Sequence, residues 1–575
     1  MTHRFGKLFV ASSCFGRSLL LASAVVSALV TAPAMARHGH DWGDDHDNGP
    51  AVRTNEGWVR GVVKDGVTRF LGIPYAAPPV GNLRWQPPQP VTPWRGVLDA
   101  TEYGNICTQT TTLGVFAGPA SVDEDCLYLN VFTTQHASGR SWKKRPVLVW
   151  IHGGGNVDGV SNDYDGSKLA TGGPKGTDTV VVTINYRLGL FGFLAHPALN
   201  AEGHAFGNYG IMDIQAVLRW VQRNIDSFGG DPDNVALGGQ SAGASDTGAN
   251  MLSPLSTGLF HRAILESSPT STFPPLSLAL TRGNNFAAAA GCPGTGADAA
   301  ACLRALTPEQ ILQLQGTANA NGPYVNGPMV DGTIIPRTPV EAWTSGQFNH
   351  VPVLGGNVQD EANFSIGITE YFSGPPQAPM TEADFTRLLT TIYSGPSGPG
   401  GSGANYPAGT VAAVLAHYPL GNYASAALAY DAASTDPGAC RALKVDQLLS
   451  KWVPVYAYEF NYQNAPYYFP KMPGFQPLAA HTIDIQFLFP LWHGGILGVS
   501  HALNAQETNL SDELVSAWTK FAATGNPNGS GNAPWPRFTA QSPTFLSQNI
   551  PLSTFTASQF SARHQCEFWN TVLVY

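Results

Sequence analysis

The chain has 575 residues, a formal net charge of -9, and 43% hydrophobic against 12% charged residues. That length buries a large core and allows more than one domain, while the mild acidity and the lack of a basic stripe exclude a nucleic-acid partner, whose phosphates require clustered Lys and Arg. The 63 glycines and 44 prolines are spread throughout, which describes a loop-rich folded chain rather than one disordered tract.

At the N-terminus, Arg4, Lys7 and Arg17 precede or border an apolar run, Leu19 to Val30, followed by Ala34-Met35-Ala36. This reads as a secretory signal over residues 1–36, cleaved after Ala36; a retained membrane anchor is the rival, but the run falls short of the ~20 residues a span needs. Residues 37–50, "HGHDWGDDHDNGP" with its preceding Arg, read as a flexible spacer. Its His38, His40 and His46 could take up a divalent metal adventitiously, yet nothing apolar nearby would hold them in a coordination geometry. Residues 51–575 are expected to form one domain, with no internal repeat and an exposed loop at Ser394 to Gly409.

Cys14 leaves with the signal, so Cys107, Cys126, Cys292, Cys302, Cys440 and Cys566 remain, an even set in a chain bound for an oxidising compartment. Neighbouring pairs would close short loops, and Cys440 with Cys566 would tie the C-terminal segment to the body, although spacing alone leaves the pairing open. No CxxC occurs, which argues against zinc.

Four apolar runs predict buried parallel strands: Arg145 to His152, Thr179 to Arg187, Asn234 to Gly239 and Val351 to Asn357. Between them, Ile211, Ile214, Leu218, Val221 and Ile225 recur at helical spacing and form one apolar face. Alternating strands and helices predict an α/β fold with a mostly parallel sheet, whose chemistry lies beyond the carboxyl ends of the strands. At one such end, "GGQSAGAS" carries Ser241 in a GxSxG turn between a strand and a helix, the setting of an exposed nucleophile. At another, "HGGG" follows a strand, and Gly154 and Gly155 with the Ala242 N–H are the candidate oxyanion hole. His152 and His196 read as structural.

The stretches "FLGIPYAAPPVGNLRWQPPQP", "EDCLYLNVF", "HGGG", "NYRLGLFGFL", "FGGDPDNVALGGQSAG" and "FAATGNPN" occur in that order. With them the chain resembles the type B carboxylesterases, the family that also contains cholinesterases and bacterial para-nitrobenzyl esterases. The resemblance implies an α/β-hydrolase fold, a mostly parallel central sheet flanked by helices with large loop and helical insertions forming a gorge. It implies a serine esterase that needs no metal or organic cofactor. It assigns the acid to Glu361 in "GGNVQDEANF", with Asp360 as rival and Ala362 where the family has glycine, and the base to His481 in "AAHTIDIQFLF", with His493 as alternative. It further implies the pairs Cys107–Cys126, Cys292–Cys302 and Cys440–Cys566, the ion pairs Arg84–Glu124 and Arg187–Asp213, and Ser267 beside the histidine.

The partner is then a small-molecule ester, met in the periplasm or outside the cell. The loop between Cys107 and Cys126 has no tryptophan, and Gln240 stands where cholinesterases carry glutamate, so neutral or anionic esters of small to medium hydrophobic or aromatic type are expected over cationic ones. A lipase acting on longer acyl chains and a non-catalytic binding protein remain as alternatives. Asn156, after the glycines, either contacts an oxygen-bearing acyl group or faces solvent, while Phe364 and the aromatics of "QFLFPLW" are candidates for the gorge wall. Activity is expected to fall with pH through the imidazole range at about 6.5.

Overall fold

The computed structural model describes residues 49–573 apart from 111–117, 135–143, 269–271, 316–326, 395–405 and 496–497. The expected signal, nearly all of the spacer, most of the Ser394 to Gly409 loop and the middle of the Cys107 to Cys126 loop lie outside the described residues.

In chain order the strands are β1 (Ala51–Arg53), β2 (Trp58–Arg60), β3 (Val62–Lys64), β4 (Val67–Pro74), β5 (Val97–Asp99), β6 (Tyr128–Thr133), β7 (Arg145–Ile151), β8 (Val180–Ile184), β9 (Gly230–Gln240), β10 (Arg262–Glu266), β11 (Val353–Val358), β12 (Val455–Phe460), β13 (Thr544–Gln548) and β14 (Ser553–Thr556). Three of them form a small sheet, β1-β2-β5, and the rest one large sheet in the order β14-β13-β12-β11-β10-β9-β7-β8-β6-β4-β3. From β8 through β13 every neighbouring pair is parallel, and the antiparallel pairings lie toward the two edges.

The central strands are Val-, Ile- and Leu-rich because both of their faces are covered. Along β7, Val147, Val149 and Ile151 join one core together with Ile211, Ile214, Leu218 and Val221 of the helix Tyr209–Asn224. Leu148 and Trp150 point the other way, into a second core with Leu514, Trp518 and Phe521 of the helix Ala505–Thr524. All four predicted strands are present, within three residues of their expected ends except β9, which begins at Gly230 rather than Asn234. The mostly parallel sheet between helical layers is the expected architecture.

Disulfides join Cys107 to Cys126, Cys292 to Cys302 and Cys440 to Cys566. The last ties the long helix Ala426–Leu449 to the final helix, Cys566–Val572. Both expected ion pairs form. The Arg84 Nε donates to Glu124 at 2.6 Å, while the Arg187 Nε and Nη2 donate to the two carboxylate oxygens of Asp213 at 2.8 and 2.7 Å. Arg187 also caps the Gln86 carbonyl at 2.8 Å, which ties the N-terminal segment to the sheet. Its side chain is 4% exposed and that of Asp213 is 0% exposed, so removing one partner strands a buried charge. Arg187→Met is therefore expected to destabilise the fold by about 3–5 kcal/mol, read from chemical denaturation; a loss under ~1 kcal/mol would contradict a buried pair.

Candidate active site

The turn that carries Ser241 is set by contact with the end of β7. A Cβ at Gly239 would stand 2.4 Å from the Ile151 carbonyl oxygen, and one at Gly243 would stand 2.1 Å from it, so neither position accepts a side chain. With glycine at both, β9 closes on β7 and the chain reverses into the helix Ala242–Leu252. Ser241 is its N-terminal flank, with φ 57° and ψ -122°, and the Ser241 N–H donates to the Glu266 carbonyl at 2.8 Å. This sparsely populated backbone region is tolerated where surrounding structure enforces it.

The second element continues directly from β7. Gly154, Gly155 and Asn156 take φ values of 110°, 62° and 58°, a left-handed run that turns the main chain across the site. Among the described residues the N–H groups of Gly154 and Gly155 make no hydrogen bond to protein. The Ala242 N–H, first in its helix, has no intrahelical acceptor. Gly154 and Gly155 border the same cavity as Ser241, Ala242 follows the serine directly, and the helix N-terminus adds its positive dipole there. His152, just before, is buried with Nδ1 at 2.8 Å from the Gly153 carbonyl oxygen, and burial pulls it down to about 4. It is a neutral packing residue, as is His196, which caps the helix Pro197–Asn200 through the Ala198 N–H.

Glu361 and His481 meet. The Glu361 Oε2 bonds His481 Nδ1, while its Oε1 accepts from the Val358 N–H at 3.1 Å and from the Asn357 amide at 3.3 Å. The Gln240 amide donates to His481 Nε2 at 3.2 Å, so the imidazole carries its proton on Nδ1 and presents the Nε2 lone pair to the serine side. Ser241 Oγ itself makes no hydrogen bond to that nitrogen. Tyr467 donates to the His481 carbonyl at 3.0 Å, and Phe364 packs edge-on with its ring centroid 5.5 Å from the imidazole. Burial pulls His481 down, but Glu361 and the more distant Asp484 outweigh it and leave the histidine above its ordinary value.

The rivals are placed elsewhere. Asp360 accepts from the Gln463 amide and the Ala479 N–H, both at 2.9 Å, and holds the His481 segment rather than its ring. His493 turns Nδ1 to the Gly495 carbonyl at 2.7 Å. Ala362 replaces glycine without strain, since its φ of -77° and ψ of -11° suit any residue. Among the described residues the buried Ser267 hydroxyl makes no hydrogen bond, to His481 or to any other group, while its N–H donates to the Gly356 carbonyl at 2.8 Å.

Two buried acids behind the histidine were missed by sequence reasoning. Burial, then the Glu361 charge, push Asp484 up to about 7 against the pull of His481, and burial with Asp484 raises Glu266 well above the carboxylate range. The signal for Asp484 was its place three residues after His481, one turn of chain.

Ser241, Glu361 and His481 open on one cavity of about 660 Å³, a size suited to a small ligand. Its wall is mainly apolar and includes Phe364, Leu388, Ile392, Tyr430 and Trp492, with Asp163 as a further acid. Phe487 and Phe489, the other candidate wall aromatics, are instead fully buried in the core. Asn156 is also buried, at 4% exposure, and faces neither the cavity nor solvent. Its side chain is engaged by Tyr186 and Asp246. Among the described residues no group of His, Cys, Asp and Glu is arranged to hold a metal.

Residues 48–569 match the profile of the carboxylesterase family. Over 547 residues the chain is 33% identical to a medium-chain fatty acyl-CoA hydrolase precursor of Anas platyrhynchos, covering 90% of this chain and 92% of the relative. It is 34% identical over 519 residues to an acylcarnitine hydrolase of Mus musculus, at 86% of each chain. It is 32% identical over 558 residues to a cocaine esterase of Homo sapiens, covering 92% and 93%.

The His481 environment predicts a midpoint above 6.5 in an imidazole titration followed by NMR of histidine-labelled protein. Glu361→Gln leaves burial as the main influence and is expected to bring that midpoint below the ordinary value of about 6.5. An unchanged midpoint would contradict the contact.

Proposed function

The chain belongs to the carboxylesterase family and is a carboxylic ester hydrolase, and from that premise we propose that Ser241 is its nucleophile, His481 its general base and Glu361 the acid that orients the base. Ser241 attacks the ester carbonyl as the His481 Nε2 takes its proton, the imidazolium is stabilised by Glu361, and the Gly154, Gly155 and Ala242 N–H groups receive the oxyanion. The alcohol leaves with the proton returned from His481. Water activated by the same nitrogen then releases the acid and restores the serine.

The observation that carries this reading is the convergence of the Glu361–His481 contact, the helix N-terminus at Ser241 and the uncommitted N–H donors of Gly154 and Gly155 on one cavity. In the resting site Gln240 occupies the lone pair that Ser241 needs, so the serine hydroxyl takes up its bond to Nε2 as substrate arrives. Such bonds are commonly long in free enzymes. Because Gln240 is neutral and stays close to the base, it holds the ring without adding charge beside the serine.

The cavity volume and its aromatic and aliphatic wall support esters of small to medium hydrophobic groups. Glu361 and Asp163 line that wall, and among the described residues no lysine or arginine does. The substrate reading therefore narrows to neutral esters, because among the described residues the wall offers an anionic group no cationic partner. The signal-like N-terminal sequence and three disulfides support a secreted or periplasmic location. Among the described residues no helix is long and apolar enough to cross a membrane.

Ser241→Ala is expected to lower turnover of a short-chain p-nitrophenyl ester by about 10⁴–10⁶-fold with an unchanged unfolding midpoint, and retained turnover would overturn the assignment. Across an ester panel, neutral substrates are expected to exceed isosteric anionic ones by at least ~10-fold in kcat/KM. A preference for long-chain triglyceride emulsions would instead favour the lipase reading.

A further inference from the structure

Asn156 and Asp246 come from the two halves of the active site and meet beneath it. Asn156 follows the glycine turn, and Asp246 lies on the helix that Ser241 begins. The Asn156 Nδ2 donates to Asp246 Oδ1 at 3.2 Å, while Asn156 Oδ1 accepts from the Tyr186 hydroxyl at 2.9 Å. The Asn156 main-chain carbonyl accepts from the Gly189 N–H at 2.6 Å. Every polar group of this residue's side chain is thus tied to a different part of the chain, and its φ of 58° is one that asparagine tolerates better than most residues.

Asp246 is 0% exposed, and no lysine or arginine among the described residues pairs with it. Among the described residues its Oδ2 has no hydrogen-bond partner. The bond this carboxyl accepts from Asn156 joins the nucleophile helix to the glycine turn.

We propose that Asp246 and Asn156 are positioning residues, a strut that sets the Gly154 and Gly155 N–H donors at their working distance from Ser241. The inference rests on the assignment of those N–H groups as the oxyanion hole. The oxyanion forms between a loop and a helix that belong to different elements, and its stabilisation depends on donor positions within a few tenths of an ångström. Neither strut residue touches substrate, so their loss lowers kcat and leaves ground-state binding almost unchanged.

The strut works with a neutral carboxyl. Burial pushes Asp246 up to about 8, against its bonds with Asn156 and Tyr186. The titratable groups that face this network are Tyr186, which follows β8, together with Tyr164 and Asp158, and the His152 ring, 4.7 Å from that of Tyr186 and pulled down to about 4 by burial. None supplies a positive charge at neutral pH. Because folding raises this pKa, the fold favours the protonated form, and the cost of ionisation is felt as pH rises through about 8.

The test uses full-length enzyme, with the active-site concentration fixed by fluorophosphonate labelling to completion so that unfolded molecules are not counted. In Asn156→Ala and Asp246→Ala, kcat per labelled site is expected to fall about 10–100-fold, less than the 10²–10³-fold loss of an oxyanion donor itself. KM is expected to move less than about threefold, and the double variant to be no worse than the poorer single one, as for two ends of one contact. Asp246→Asn keeps an acceptor for Asn156 and is expected to restore kcat at pH 7 and to remove the alkaline decline that wild type begins at about 8. Unchanged kcat per site in both alanine variants, or effects that multiply in the double variant, would overturn the strut. Wild-type kcat constant to about pH 9.5 would overturn the neutral-carboxyl requirement. If Asp246→Ala does not fold, Asn156→Ala alone decides. Failure of wild type to label at Ser241 would instead strike the nucleophile assignment.

Discussion

The carbonyl oxygen of Ile151 occupies the space where side chains at positions 239 and 243 would begin. That single exclusion governs the site. Ile151 and Gly239 are register partners across β7 and β9, and the turn after β9 can reverse against β7 only because both positions are bare. The same strand end continues into the glycine turn with its three positive φ values. One backbone junction therefore sets both where the serine emerges and where the unpaired N–H groups lie, before any catalytic side chain is considered.

Around this junction, charge is managed by neutralisation more than by pairing. Asp246, Glu266 and Asp484 are all driven toward their protonated forms by burial as the largest cause. Taking a lone carboxylate out of water is so costly that the proton is retained instead. Glu361 is placed differently, in direct contact with His481 and accepting from main-chain and side-chain donors. Away from the site the opposite solution is used, in Arg187–Asp213 and Arg84–Glu124, where each charge has a bidentate partner.

The sheet was legible because strands covered on both faces must be continuously apolar, and β7 and β8 are. β9 was read short, since its opening Gly-Asp-Pro-Asp carries turn formers that tertiary pairing overrides, with Gly230 opposite Arg145. Ser241 was legible from glycine spacing at a strand–helix joint. Glu361 and His481 were not, because 120 residues separate them and no local period links an acid to its base; family resemblance supplied both. Asn156 escaped either reading offered for it, because its direction is decided by Tyr186 and by an aspartate 90 residues away. Ser267 was matched by position, but its buried hydroxyl makes no hydrogen bond among the described residues.

The backbones that carry Glu361 and His481 are joined immediately beside those residues. Asp360 and Ala480 form a parallel bridge, and the Asp360 N–H donates to the Ala479 carbonyl at 3.0 Å. Between β11 and β12 the chain makes a helical excursion that returns Leu388, Ile392, Tyr430 and Ser434 to the cavity wall. The excursion is itself tied to that pair, through the Ala362 N–H on the Thr435 hydroxyl at 2.9 Å and through Phe364 against the imidazole. Wall and acid–base contact consequently form one mechanical unit: an excursion of different length or shape would have to reproduce both contacts to leave the proposed acid and base where they are.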